Sequence, residues 1–200
     1  MLLPLFPLHT VLYPGGQLPL RIFEQRYLEM AKACLRDGSP FGVCSIVHGD
    51  EVMPEGGAAP DFAKVGTLAR IESWDMPQQG ILQVSATGDT RFEVRAHTVA
   101  RDGLVVADVA TRPAEPRIAL DARFQPLARL LELLAAAASP QQFPHPPSSE
   151  RSFDDATWVG YRLCELLRLP LPTRQRLLES DDAEARLEAL QEFVVQKGAA

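Results

Sequence analysis

Residues 3–27 read Leu3-Pro4-Leu5-Phe6-Pro7-Leu8-His9-Thr10-Val11-Leu12-Tyr13-Pro14-Gly15-Gly16-Gln17-Leu18-Pro19-Leu20-Arg21-Ile22-Phe23-Glu24-Gln25-Arg26-Tyr27. The two prolines in 3–8 favour an extended chain. Tyr13-Pro14-Gly15-Gly16 is turn chemistry. Gln17 to Ile22 alternates, with Leu18, Leu20 and Ile22 on one face. Pro19 cannot donate to a ladder, which predicts a strand at an edge or rim. Glu24 to Arg36 then places Tyr27, Ala31, Cys34 and Leu35 on one apolar stripe, with Phe23 read at its start, and Gly38 stands where a left-handed cap ends a helix. Glu24 suits the positive end of the helix dipole. Two residues apart on a helix do not face each other, so Glu24 and Arg26 are expected to find separate partners. The fork of Arg26 suits free carbonyls.

Outward from this stretch the chain to residue 112 reads as mostly β. Phe41–Val47 is a short apolar run fit for a buried strand. Residues 49–60, rich in Gly, Pro and Ala, read as a surface loop. Strands are predicted over Val65–Trp74, Gly80–Thr87, Arg91–Val99 and Leu104–Ala110, with turns at Gly88-Asp89 and Arg101-Asp102-Gly103. Strands at this spacing suggest a small barrel or sandwich, not βαβ units. After Arg112 the pattern changes. Pro113-Ala114-Glu115-Pro116 reads as a bend, Phe124–Leu134 as a helix and the proline-rich 139–149 as a loop. A helix follows over Asp155–Leu169, a short one capped by Thr173, and a last one opened by Asp181-Asp182. The expectation is an α+β chain: a β-rich part over 1–112 with one embedded helix, then a helical bundle over 113–200.

Composition excludes several function classes. The 200 residues are 46% hydrophobic and 23% charged, with net charge −6, so a packed core is expected rather than disorder. Residues 1–112 and 113–200 each hold 10 basic and 13 acidic residues, so neither half is the basic surface that phosphate contacts need. Three widely spaced cysteines, Cys34, Cys44 and Cys164, fit a reducing cytoplasm better than a disulfide framework. The apolar start lacks a basic n-region and is cut by prolines, so no signal peptide is expected, and no apolar run reaches membrane-spanning length. His9, His48, His97 and His145 lack metal-ligand spacing, and no cofactor is implied. No phosphate-cradling glycine motif and no GxSxG elbow is present. Asp154-Asp155 and Asp181-Asp182 are read as helix caps before paired catalytic carboxylates. Cys34 and Cys44 are read as buried apolar residues before reactive thiols. Trp74 and Trp158 are read as packing residues before recognition platforms.

The opening stretch resembles the start of the Lon protease N-terminal domain, stand-alone members included. The similarity continues through Phe41-Gly42-Val43, Val65-Gly66-Thr67-Leu68-Ala69-Arg70-Ile71 and Gly88-Asp89-Thr90-Arg91-Phe92-Glu93-Val94. It ends with Leu169-Pro170-Leu171, Arg174-Gln175-Arg176-Leu177-Leu178-Glu179 and Arg186-Leu187-Glu188-Ala189-Leu190. The resemblance implies a PUA-like β-barrel followed by a helical bundle. It implies a non-catalytic role in binding unfolded or partly folded polypeptides, alongside a protease or chaperone ATPase, with a homodimer left open. On that reading an apolar groove where barrel meets helices would be lined by Tyr13, Phe23, Arg26, Tyr27 and Arg91; plain core for the aromatics and strand-tying for the arginines stand beside it. Two alternatives remain: an RNA-binding module, which the charge balance opposes, and a small hydrolase or redox enzyme using Cys44 or His48.

Overall fold

The computed structural model describes residues 1–52, 59–139 and 153–198. The architecture is mixed, mainly sheet, with helices concentrated after residue 120. The chain divides into two compact units, Met1–Ala114 and Glu115–Ala200. Much of the predicted 49–60 loop and nearly all of the 139–149 loop lie outside the described residues.

In the first unit the strands are β1 (Leu2–Leu8), β2 (Gln17–Ile22), β3 (Phe41–His48), β4 (Asp61–Phe62), β5 (Val65–Gln78), β6 (Ile81–Val99) and β7 (Val105–Thr111), with helix α1 (Gln25–Asp37) between β2 and β3. The pairing runs β1-β7-β6-β5-β3-β4, and β1 also pairs with β3, so the ladder returns on itself.

The prolines of β1 fit this arrangement for a specific reason. Met1 and Val109 exchange backbone bonds of 2.8 and 2.9 Å, so Leu3 and Leu5 continue that phase toward β7 and Pro4 turns away. Pairing with β3 begins only at Leu5. Pro7 faces the β7 side, where pairing has already ended. Neither missing N–H costs a ladder bond.

Two apolar clusters follow from strand alternation. Leu3, Leu5, Cys44, Leu68, Phe92, Val94, Val105, Ala107 and Val109 form one. Phe6, Leu8, Leu12, Ile22, Phe41, Val84 and Ala86 pack with the α1 stripe of Tyr27, Ala31 and Cys34 in the other. Gly38 ends α1 at φ 63°. The buried Thr67 hydroxyl donates to Leu12 O at 2.6 Å, tying the β1–β2 connection to β5.

Several expectations change. Gly88-Asp89 is not a turn: β6 runs unbroken from Ile81 to Val99. A Cβ on Gly88 would lie 2.3 Å from Tyr13 O, so the glycine admits the crossing chain. Glu24 and Arg26 do pair, at 2.7 Å. Glu24 is the extended residue before the helix, at φ −74° and ψ 134°, so helical spacing does not govern it. Phe23 precedes the helix and is not part of its stripe. Trp74 is 57% exposed, because the β5–β6 hairpin continues past the core to Gly80. Trp158 is half-buried, edge-on to Phe153 at 5.3 Å.

The second unit holds a 3-10 turn (Ala122–Phe124) and helices α2 (Gln125–Ala137), α3 (Ala156–Leu166), α4 (Leu171–Glu179) and α5 (Ala183–Gly198). Helix α3 packs against α2, α4 and α5. Asp155 caps α3 by accepting from Thr157 N at 3.0 Å. Asp182 Oδ1 accepts from Glu184 N and Ala185 N. Thr173 is not a cap: α4 starts two residues earlier, with Pro172 in its first turn, where no N–H is needed. Arg186, fully buried, donates to both oxygens of Glu115 at 2.9 and 2.8 Å, to Leu177 O and to Ser180 O. Tyr161 donates its hydroxyl to the same carboxylate.

Candidate functional site

The five residues proposed to line a groove divide sharply. Tyr13 is 0% exposed, Tyr27 3%, Arg91 3% and Arg26 6%, whereas Phe23 is 53% exposed. Tyr13 lies on the connection that Thr67 and Gly88 hold down. Arg91 sits on β6 opposite Thr67 of β5. Arg26 bonds Glu24 and donates to Gly103 O at 3.1 Å, the free carbonyl its fork suits. Its guanidinium also lies 4.5 Å from the Tyr27 ring centroid. Tyr27 stacks on Phe6 with centroids 3.9 Å apart. Burial pushes the Tyr27 phenol up to about 12; Arg26 opposes this, and Glu24 and Glu51 add to it. The phenol therefore stays protonated at neutral pH.

Phe23 and Tyr27 do meet at one concavity, of about 290 Å³, beside β2. Its base is apolar, from Phe6, Leu8 and Tyr27 with Leu18 and Leu20 of β2, and its rim carries the exposed Phe23 and Val52. Thr10, Arg21, Glu24 and Glu51 add a polar share nearly as large as the apolar one. Glu24 is held by Arg26, and Glu51 accepts the His9 N–H at 2.6 Å. An apolar base edged by fixed polar groups suits an apolar side chain of a ligand with a polar neighbour.

Strand β2 forms the wall between this cavity and a second one. Pairing Pro19 with Ser85 and Arg21 with Gln83, and those in turn with Ser73 and Asp75, sets two cross-strand rows on the face away from the core. These rows belong to a trough of about 470 Å³ that also includes Trp74 and Val84. It is larger, and the surface it exposes is mainly apolar, from Pro19, Leu20, Trp74 and Val84, with Arg21, Asp75, Gln83 and two serines among them.

Sequence reading missed most of the lining, Leu18, Leu20, Glu51 and Val52 among it. For the first two a signal existed: apolar alternation on a strand already marked as an edge by Pro19. Glu51 and Val52 reach the site only through the tertiary fold.

The thiol chemistry has no support in the geometry. Cys44 is buried and burial pushes its thiol pKa well up, while His48 is exposed at the far end of β3. Among the described residues no cluster of His, Cys, Asp and Glu could hold a metal ion. Among those residues no helix is long and apolar enough to cross a membrane.

Comparison with known proteins adds the following. The family profile described as the ATP-dependent protease La (LON) substrate-binding domain matches residues 2–196. A Lon protease from Anaeromyxobacter dehalogenans is 27% identical over 98% of this chain. Lon protease 2 from Myxococcus xanthus is also 27% identical over 98%. The chain spans only 23% and 24% of those relatives' lengths. Their remaining parts do not align with it. The crystal structure of a Lon N-terminal domain protein from Xanthomonas campestris is similar at 38% identity and TM-score 0.77, covering 96% of this chain and 98% of that one. The N-terminal domain of a Mycobacterium avium complex Lon protease shares the fold at 14% identity and TM-score 0.64, covering 96% and 97%.

Proposed function

The chain belongs to the LON substrate-binding domain family, and from that premise we propose that it is a non-catalytic module that binds unfolded or partly folded polypeptides. The observation that carries the site is the 290 Å³ cavity beside β2, apolar at its base and rimmed by exposed Phe23 and Val52. Large exposed apolar side chains around a concavity are what a protein-binding site presents. Tyr27 forms part of its base, and Arg26 fixes Glu24 at its margin. Tyr13 and Arg91 then act indirectly, by holding the connection and β6 in place. A protease or chaperone ATPase is the partner that the relatives' Lon protease names suggest. A reducing compartment suits three buried free cysteines.

The same reading extends to architecture. The return of the ladder from β3 to β1 supports a PUA-like β-barrel, and the packing of α3 against α2, α4 and α5 supports a helical bundle. The division into compact units at Ala114 and Glu115 supports a boundary close to residue 112.

The test is fluorescence anisotropy with a labelled, reduced and carboxymethylated protein that cannot fold. The chain binds it and ignores the native form of the same protein. Phe23→Ser weakens binding about tenfold, since burying a Phe is worth ~1.5–3 kcal/mol and 1.4 kcal/mol is tenfold, while its melting temperature stays near the parent value. Equal affinity for native and unfolded forms, or for parent and Phe23→Ser, refutes the assignment.

A further inference from the structure

We propose that the outer edge of β2 takes an extended segment of the bound polypeptide as an added strand, preferring one with a Lys or Arg beside an apolar side chain; this rests on the polypeptide-binding reading above. Gly88 N–H donates to Gly16 O at 2.8 Å. That bond sets the phase of the antiparallel ladder, so Leu18, Leu20 and Ile22 bond toward β6. Gln17, Pro19 and Arg21 turn their backbone groups outward. Among the described residues β2 pairs with β6 alone. The outer edge thus offers three carbonyls and, because proline has no N–H, two donors. Main-chain pairing does not read sequence, which suits a site that must take many unfolded chains.

The side chains select within that breadth. Alternate residues of an added strand point to one face, and on the core-side face Leu18 and Leu20 lead to the apolar base of the cavity. Arg26 pairs Glu24, Glu51 and Arg21 balance each other at the cavity, and the adjacent exposed Asp50 leaves the rim one negative charge in excess. A basic residue beside the apolar anchor complements that charge. A second copy of β2 is the poorer guest, because in an antiparallel self-pair centred on Pro19 the missing donors of the two prolines fall opposite each other.

The test is anisotropy with a labelled peptide alternating leucine and threonine and carrying one lysine. Three comparisons are made: the same peptide N-methylated at alternate residues, the Lys-to-Glu peptide, and the Arg21→Pro protein, which removes an outward donor at an exposed position. N-methylation is expected to weaken binding at least tenfold, Arg21→Pro and the Glu peptide each several-fold, with the circular dichroism of Arg21→Pro unchanged. If the N-methylated peptide binds as well as the parent while Phe23→Ser still loses both, strand addition is overturned and the cavity reading stands. If the Glu peptide binds equally, the basic preference is overturned. If the unfolded protein itself fails to bind, the underlying function is wrong and this proposal falls with it. If sedimentation shows a dimer that Arg21→Pro dissolves, the edge belongs to a second copy and the proposal is overturned.

Discussion

Replacing Glu115 by alanine removes the carboxylate that neutralises the buried Arg186. Arg186 is fully buried and the Glu115 side chain is 6% exposed. The carboxylate accepts two guanidinium bonds, at 2.9 and 2.8 Å, and the Tyr161 hydroxyl. Once it is gone, Arg186 keeps Leu177 O at 2.9 Å and Ser180 O at 2.6 Å, and it stays over the Tyr161 ring at 4.1 Å. Those contacts hold the guanidinium in place, so the charge is left buried without its counter-ion. Breaking a buried pair from one side costs about 3–5 kcal/mol, a large part of the ~5–15 kcal/mol that holds a typical protein folded. The assay is urea unfolding followed by Trp158 fluorescence in a Trp74→Phe background, which confines the signal to the second unit. Glu115→Leu combined with Arg186→Met removes both charges and is expected to recover most of the loss. A Glu115→Ala loss below about 1 kcal/mol at unchanged m-value would refute the idea that this pair anchors the start of the unit to α3 and α5.

Three further outcomes are expected. Burial raises the Glu165 carboxyl from 4.5 to about 7 against the opposing pull of Arg162 and Arg174. The native state then holds more protons than the unfolded chain between those values, so stability is full below 4.5 and falls as pH rises through 7. Glu165→Gln should flatten that fall in urea midpoints taken across the range, and an unchanged slope would place the titration elsewhere. Gly66→Ala puts a Cβ 2.3 Å from Val43 O, and Gly88→Ala one 2.3 Å from Tyr13 O. Each should cost about 1–3 kcal/mol or more by forcing backbones apart, and a melting temperature within a degree or so of the parent would show that the strands yield freely. Cys34, Cys44 and Cys164 are buried, and burial raises the Cys34 and Cys44 thiols. A thiol reagent should therefore label the chain only after denaturant is added, and rapid native labelling would contradict this.

Local chemistry was legible in the residues alone. Pro19 marked β2 as an edge because a missing N–H is a property of one residue. Gly38 marked the end of α1, and Asp155 and Asp182 opened helices, because caps are settled within a few residues. The Leu18, Leu20, Ile22 alternation and the α1 stripe gave the core faces. The motif blocks gave the family. What only the tertiary structure decided depends on chain segments far apart in sequence. Gly88 looks like a turn, yet it clears the path of Tyr13, 75 positions earlier in the same sheet crossing. Glu24 and Arg26 pair because the helix begins after Glu24, a boundary shifted by one residue from the expected one. Trp74 is exposed because its hairpin outruns the core. The Glu115–Arg186 pair joins residues 71 apart. The cavity beside β2 likewise needs β1, β2, α1 and residues 51–52 together. Sequence periodicity tells which face a side chain takes; it carries no information on which distant segment leaves a gap beside that face.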